Sequence, residues 1–314
     1  MKLSIFSLLV IFAISLASCR KDKVQPTIKQ YDNTQILNYI AANGLSGFQR
    51  DTTGGDTSGI YYKIMNPGTQ TIGGKPAPQI QYSTQLAMVF TVRTLDGSYI
   101  QSDTINNHIY DFVGHITNDK LPAGLQLAVH NVLKYPDASM RVLIPSHLAY
   151  GVDGYGSGSS TIANNRIAGN ECLDYYIHAV NNFPAYDDMV IVNYMKANSL
   201  SGYSKTADGL WYKILIPATT NDPITENSTI TATYTGQIFN GVIFDGANNG
   251  TNIFTGAVDS FIPGVTEGLE NYAVAGTEIS MLIPSSLGYG LSSQSGIPAF
   301  SCLRFTWQIL TVTP

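Results

Sequence analysis

The chain has 314 residues, of which 44% are hydrophobic and only 12% are charged, and its formal net charge is −5. This length predicts two domains, because single hydrophobic cores stop growing near ~250–300 residues. The hydrophobic share excludes bulk disorder. The negative net charge argues against nucleic acid as a partner, because a nucleic-acid-binding face is basic. The few charged residues favour an exported protein with an uncharged polar surface.

The N-terminal segment has the features of an export signal. Met1-Lys2 is followed by an almost wholly apolar stretch, Leu3 to Ala17, which is short for a membrane span. It ends in Leu16-Ala17-Ser18-Cys19, which resembles the lipobox of bacterial lipoproteins, in which the cysteine carries the lipid. We therefore expect residues 1–18 to be a signal peptide, Cys19 to be lipidated and residues 19–30 to be a tether. A plain secretory signal that contains a cysteine is the alternative.

The remainder of the chain is a tandem repeat. Four blocks recur in the same order: Tyr31–Phe48 with Tyr186–Tyr203, Gly59–Pro67 with Gly209–Pro217, Leu143–Gly151 with Leu282–Gly290, and Glu171–Tyr175 with Ser301–Phe305. This order predicts two domains, residues 31–183 and 184–314. Cys172 and Cys302 fall at equivalent places in different copies, so a disulfide would require the two core strands to meet. We expect both to be free, buried thiols.

Each copy is predicted to start with a helix and to continue with strands. Asp32/Asn33 and Asp187/Asp188 are the candidate N-caps of the two helices, and Asn43-Gly44 is a C-cap signal. In the second copy the pattern predicts strands over 229–234, 242–245, 277–284 and 302–313, and a short helix over 266–274. The expected class is α+β: in each domain an antiparallel sheet packs on a short helix, with an added N-terminal helix and strand.

The second copy resembles an FKBP-type peptidyl-prolyl cis-trans isomerase. The resemblance covers residues 229–312 and is carried by the blocks Tyr234–Asp245, Phe261–Leu269, Ile283–Gly290 and Ile297–Phe305. The preceding helix and strand resemble the N-terminal segment that this family carries in lipoproteins of the Bacteroidetes type. The resemblance implies two tandem FKBP-like domains.

The resemblance also implies a site that isomerises X–Pro bonds in an apolar pocket, without a nucleophile, metal or cofactor. Tyr289 would offer its hydroxyl to the substrate carbonyl, and Asp245 would form a hydrogen bond at the pocket rim. The implied pocket walls are Tyr234, Phe244, Phe254, Phe261, Ile262, Ile297 and Phe305. Val265 stands where many family members have a tryptophan, which predicts a wider, shallower floor. All five histidines precede Ala185, which excludes histidine metal ligands and a histidine-based triad from the second copy.

The first copy departs from this pattern. Phe90, Ile100, Gln101 and Tyr175 replace Tyr234, Phe244, Asp245 and Phe305, whereas Tyr150 and Ile167 match Tyr289 and Ile297. Leu121-Pro122-Ala123-Gly124 only loosely matches Ile262-Pro263-Gly264-Val265, and the loop after Tyr150 is longer and rich in Gly and Ser. We expect a degenerate domain with little or no isomerase activity, serving as a spacer, a docking surface or a weak peptide-binding module.

The leading hypothesis is a monomeric folding enzyme, lipid-anchored in the cell envelope, that isomerises X–Pro bonds of exported proteins. Arg20 after the lipidated cysteine favours the outer membrane by analogy with other bacteria. One alternative is a non-catalytic peptide-binding or chaperone lipoprotein. Another is an envelope interaction protein that uses the fold as a scaffold. For single aromatic residues such as Phe244, Phe261 or Phe305, simple core packing is the competing interpretation.

Overall fold

The computed structural model describes residues 26–53, 55, 58–159, 161–218, 222–246 and 253–314. Cys19, the signal peptide and most of the expected tether therefore lie outside the described residues. Within them the chain forms two units with the same order of elements, apart from an extra two-stranded hairpin, Thr71–Ile72 with Lys75–Pro76, in the first unit. The expected α+β class with antiparallel sheets is confirmed.

The first unit runs from helix α1 to strand β9. Its elements are α1 (Ile28–Ala42), β1 (Gln49–Arg50), β2 (Tyr61–Asn66), β3 (Thr71–Ile72), β4 (Lys75–Pro76), β5 (Gln85–Thr94), β6 (Ile100–Gln101), β7 (His108–Phe112), α2 (Ala123–Ala128), β8 (Ser139–Ile144) and β9 (Leu173–Val180). A single π-helical turn, Val129–Leu133, continues α2.

The second unit runs from helix α3 to strand β16. Its elements are α3 (Phe183–Ala197), β10 (Ser204–Lys205), β11 (Trp211–Ile216), β12 (Thr229–Ile238), β13 (Ile243–Asp245), β14 (Phe254–Ala257), α4 (Pro263–Tyr272), β15 (Glu278–Ile283) and β16 (Leu303–Thr313). Helix α4 starts earlier than the expected residue 266, because Pro263 is well suited to the first helical turn.

Each unit is built on one seven-stranded antiparallel sheet. The strand order is β1-β2-β8-β9-β5-β6 in the first unit and β10-β11-β15-β16-β12-β13 in the second, and β7 and β14 pair with β5 and β12. In the second unit the long strands β12 and β16 lie side by side, with Tyr234 opposite Trp307 and Gly236 opposite Phe305. This register places the aromatic side chains of two distant sequence blocks on one face of the sheet.

The expected N-caps of α1 and α3 are wrong. Helix α1 starts at Ile28, inside the expected tether, and Thr27 and Gln30 form a capping box at its N-terminus. Helix α3 starts at Phe183, and the Asn182 side chain accepts a hydrogen bond from the Ala185 amide. Both caps lie before the acidic residues. Asp32 and Asp187, which recur at equivalent places in the two helices, therefore lie inside the helices and do not mark their starts.

Asp32 and Asp187 instead hold their helices onto the turn after β8 and β15. The Asp32 carboxylate accepts hydrogen bonds from Ser146 Oγ at 2.8 Å and from the His147 amide, with His147 Nδ1 2.9 Å away. The Asp187 Oδ2 atom accepts from the Ser285 amide and hydroxyl at 2.8 and 2.7 Å. Its Oδ1 atom is buried and has no hydrogen-bond partner among the described residues, and burial raises the pKa of this carboxyl.

The short helices approach their sheets closely at glycine. A Cβ atom on Gly264 would lie 2.5 Å from Ile283 Cγ2, and one on Gly124 would meet the equivalent Ile144 in the same way. Gly124 is therefore the counterpart of Gly264, which shifts the expected match of this block by one residue. Cys172 and Cys302 are free and buried, as expected.

Candidate functional site

The second unit has a cavity of about 330 Å³ between α4 and the concave face of its sheet. Its lining is Tyr234, Asp245, Phe254, Ser260, Phe261, Ile262, Val265, Tyr289, Phe305 and Trp307. The cavity therefore brings together both expected catalytic residues, five of the seven expected wall residues and Val265 of the expected floor. The lining is mostly aromatic, with a few polar groups at one side, which is typical of a small-ligand or peptide-segment site.

Two expected wall residues lie beside the cavity and do not line it. Phe244 packs edge-on against Phe305, with ring centroids 5.7 Å apart. Ile297 is buried in the core of the same unit. The Phe305 ring has space because the residue opposite it on β12, Gly236, has no side chain: a Cβ there would lie 2.6 Å from Phe305 Cε1.

Trp307 forms the aromatic base of the cavity, and the sequence analysis missed it. Its ring stacks on Tyr234 at 4.2 Å between centroids and lies 5.1 Å from Phe261 and 6.2 Å from Phe254. The available signal was alternation along β16, since Leu303, Phe305 and Trp307 must share one face. Val265, on α4, lines the same cavity. The cavity therefore contains a tryptophan, but strand β16 supplies it and helix α4 does not.

The polar side of the cavity is formed by Tyr234, Tyr289 and Asp245. Burial, with the Asp245 carboxylate nearby, raises the pKa of Tyr234 to about 12. The same two causes raise the pKa of Tyr289. Both phenols therefore stay protonated near neutral pH and keep a proton to donate. Among the described residues, the Tyr289 hydroxyl has no hydrogen-bond acceptor of its own chain.

Asp245 is exposed at the end of β13, and its Oδ1 accepts a hydrogen bond from the Gly246 amide at 2.7 Å. Through this contact Asp245 caps the turn that follows β13. The carboxylate nevertheless lines the cavity and acts electrostatically on both tyrosines. Asp245 thus caps its turn and also contributes the negative charge of the cavity rim.

The equivalent place in the first unit is occupied by the unit's own side chains. The Tyr150 hydroxyl donates a hydrogen bond to the Lys120 carbonyl at 3.0 Å, and the Tyr155 ring stacks on Tyr150 at 4.7 Å. Burial raises the pKa of Tyr150 to about 12. Across the β5–β9 pair, Phe90 faces Ile177, where the second unit has Tyr234 facing Trp307. The tyrosine that matches Tyr289 is therefore engaged and covered.

Within the described residues there is no cluster of three or more His, Cys, Asp or Glu side chains that could hold a metal ion. In the same part of the chain, every helix is too short or too polar to cross a membrane. The cavity of the second unit has the features of a site that binds a short apolar segment and offers a hydroxyl donor to it.

The fold and the cavity define a candidate binding site for a small or segmental ligand. Residues 221–310 match the sequence profile described as FKBP-type peptidyl-prolyl cis-trans isomerase. Over this region, the chain is similar to that family.

Named relatives are similar to part of the chain. FKBP-type peptidyl-prolyl cis-trans isomerase FkpA of Buchnera aphidicola subsp. Schizaphis graminum is 37% identical over 120 residues, which are 38% of this chain and 47% of the relative. Outer membrane protein MIP of Legionella longbeachae is 34% identical over 104 residues, 33% of this chain and 44% of the relative. The crystal structure of FkpA from Escherichia coli aligns with a TM-score of 0.37 and 29% identity, over 42% of this chain and 61% of that one. The chain spans about half the length of the curated relatives that it matches.

Proposed function

We propose that the chain is a peptidyl-prolyl cis-trans isomerase whose active pocket is the cavity of the second unit. The observation that carries the proposal is the Tyr289 hydroxyl, which is protonated, unpaired within the described residues and placed at the rim of a cavity based on Trp307. This cavity lies in the region that matches the isomerase family.

The proposed mechanism needs only the side chains of this cavity. Rotation about an X–Pro bond has a barrier of ~18–20 kcal/mol, which is set by amide resonance. The twisted amide is less polar than the planar one, so an aromatic, water-poor cavity favours it. The Tyr289 hydroxyl would donate a hydrogen bond to the carbonyl on one side of the bond while the proline ring turns against Tyr234 and Trp307. Asp245 would keep the rim polar and orient the tyrosines.

We further propose that the first unit does not catalyse this reaction, because Tyr150 is bonded to Lys120 and covered by Tyr155. The proposed boundaries are residues 31–183 for that unit and 184–314 for the isomerase unit. The substrates would be proline-containing segments of exported proteins. Cys19 in its lipobox-like context supports a lipid anchor in the cell envelope, in keeping with the name of the Legionella relative.

The test is prolyl exchange in a Leu-Pro peptide, followed by exchange NMR with the purified protein. We expect faster exchange with the wild type and a loss of about tenfold in Tyr289→Phe, the value of one transition-state hydrogen bond. Tyr150→Phe is the matched control in the first unit and should leave the rate unchanged. No acceleration by the folded wild type would refute catalysis on this substrate. Peptide-induced shifts without acceleration would establish the non-catalytic binding module instead.

A further inference from the structure

One segment of the first unit contacts the second unit at two places next to the cavity. This contact segment comprises residues 103–108, between β6 and the start of β7. One contact is made by His108 to the loop after Ile297, and the other by Asp103 to the turn before β13. Each contacted element leads to a polar residue of the cavity rim.

The His108 contact is a specific one. Its Nδ1 atom lies 3.2 Å from the Ala299 carbonyl oxygen, and its ring stacks on Phe300 at 4.4 Å with the planes 6° apart. A carbonyl only accepts hydrogen bonds, so Nδ1 carries the proton and Nε2 faces the Tyr186 hydroxyl at 3.5 Å. His108 is buried, and burial lowers its pKa to about 4, which keeps the imidazole neutral in this arrangement.

Phe300 has a backbone conformation that its residue type disfavours. Its φ is +44°, and the equivalent residue of the first unit, Asn170, has φ +62°. Asparagine tolerates this region, whereas for a bulky residue it is strained and persists only where the surroundings enforce it. At Phe300 the surroundings are His108 and the rings of Phe183 and Tyr186, from α3. The second unit thus keeps a strained aromatic residue at the point where the first unit touches it.

The strained residue is connected directly to the cavity rim. The Phe300 amide donates a hydrogen bond of 2.7 Å to the carbonyl of Gly290, the residue after Tyr289. The loop from Tyr289 to Phe300 is therefore closed by this bond, and the His108 contact holds it from outside. A shift of Phe300 would be transmitted to Tyr289 through a single peptide unit.

The second contact is made to the turn that leads to Asp245, another polar residue of the rim. Asp103 Oδ2 accepts a hydrogen bond of 3.0 Å from Asn240 Nδ2, and Asn240 Oδ1 accepts one from the Val242 amide. This turn leads into β13, which ends at Asp245. Between the two contacts, Ile105 packs against the core of the second unit. The contact segment therefore touches the supports of both Tyr289 and Asp245.

We infer that the first unit is a built-in positioning element for the second: its contact segment holds the supports of Tyr289 and Asp245 at a fixed separation, through His108 on Phe300 and Asp103 on Asn240. The expected effect on catalysis rests on the proposed function, whereas the contact between the two units does not depend on it. His108 and Phe300 are accordingly positioning residues.

The test compares His108→Ala with His115→Ala in the full chain. His115 is an exposed histidine of the same unit and serves as the matched control. We expect His108→Ala to speed hydrogen exchange of the Phe300 amide and to raise KM for a Leu-Pro peptide several-fold. A loss of folded protein alone would lower the apparent kcat and leave KM unchanged. Unchanged Phe300 exchange together with unchanged KM in His108→Ala would overturn the inference.

A second variant keeps the test independent of folding defects. Phe300→Asn installs the residue that the first unit uses at this φ, so the backbone strain is relieved while the ring contact is lost. We expect this variant to fold, to leave His108 without its stacking partner and to raise KM as His108→Ala does. If Phe300→Asn keeps the wild-type KM, the contact does not position the site. If the wild type itself is inactive, the proposed function fails, and amide exchange of Phe300 still decides the contact.

Discussion

The buried imidazole of His108 makes the stability of this protein dependent on pH in a window that can be stated in advance. In the folded chain burial lowers the pKa of His108 to about 4, whereas an unfolded chain has a histidine pKa of about 6.5. The unfolded state therefore binds more protons between these values. The stabilising contribution of neutral His108 is complete above about pH 6.5 and is lost as the pH falls towards 4.

The size of this loss follows from the two pKa values. Going from pH 7 to pH 5, protonation of the unfolded state reduces the free energy of unfolding by about 2 kcal/mol through this one residue. His108→Asn removes the titrating group and retains a side-chain amide that can donate to the Ala299 carbonyl. Urea denaturation at pH 7, 6 and 5, followed by circular dichroism, should show a difference in pH slope between the wild type and this variant.

Two other groups whose pKa is shifted by burial, His178 and Asp187, are the same in the wild type and the variant, so their contributions cancel in the comparison. Burial lowers the pKa of His178, which changes stability in the same direction as His108 does. Burial raises the pKa of Asp187, so its contribution to stability is present at low pH and is lost as the pH rises. This effect has the opposite sign, and it is the same in both proteins. His115→Asn provides the control for an exposed histidine. Equal pH slopes in the wild type and His108→Asn would refute the assignment of a buried, neutral His108 at the contact.

Three further predictions concern the second unit. Ser286→His copies His147, which contacts Asp32 in the first unit. The new imidazole should donate a hydrogen bond to the unpaired Oδ1 of Asp187 and raise the free energy of unfolding by about 0.5–1.5 kcal/mol, measured by urea denaturation. No gain would show that the imidazole does not reach this oxygen. Gly236→Ala should lower the free energy of unfolding by about 1–3 kcal/mol, because its Cβ would collide with Phe305. An unchanged free energy of unfolding would mean that β12 and β16 move apart at this position at little cost. Trp307→Ile, which copies the first unit, should weaken binding of a Leu-Pro peptide in an NMR titration; unchanged affinity would remove Trp307 from the site.

The sequence alone predicted the fold class and most of the residues that line the candidate cavity. Repeats, turn signals and alternation are local patterns, and they predicted two copies of an antiparallel sheet with a short helix. The resemblance assigned Tyr289, Asp245, five wall residues and Val265 of the floor, all of which line one cavity in the structure. Trp307 could have been added by counting two residues on from Phe305, because alternation along a strand fixes the face of a side chain. The helix starts were wrong because acidic residues serve caps and buried contacts alike.

Only the tertiary structure could decide how the two units affect each other. His108 and Phe300 are far apart in the sequence, and no local pattern indicates that a histidine of one copy stacks on a phenylalanine of the other. The same holds for the left-handed backbone of Phe300, since residue type argues against it. Such contacts depend on the arrangement of two folded units in space. Periodicity reports which face of an element is buried, and the identity of the surface that covers that face is determined by packing over long range.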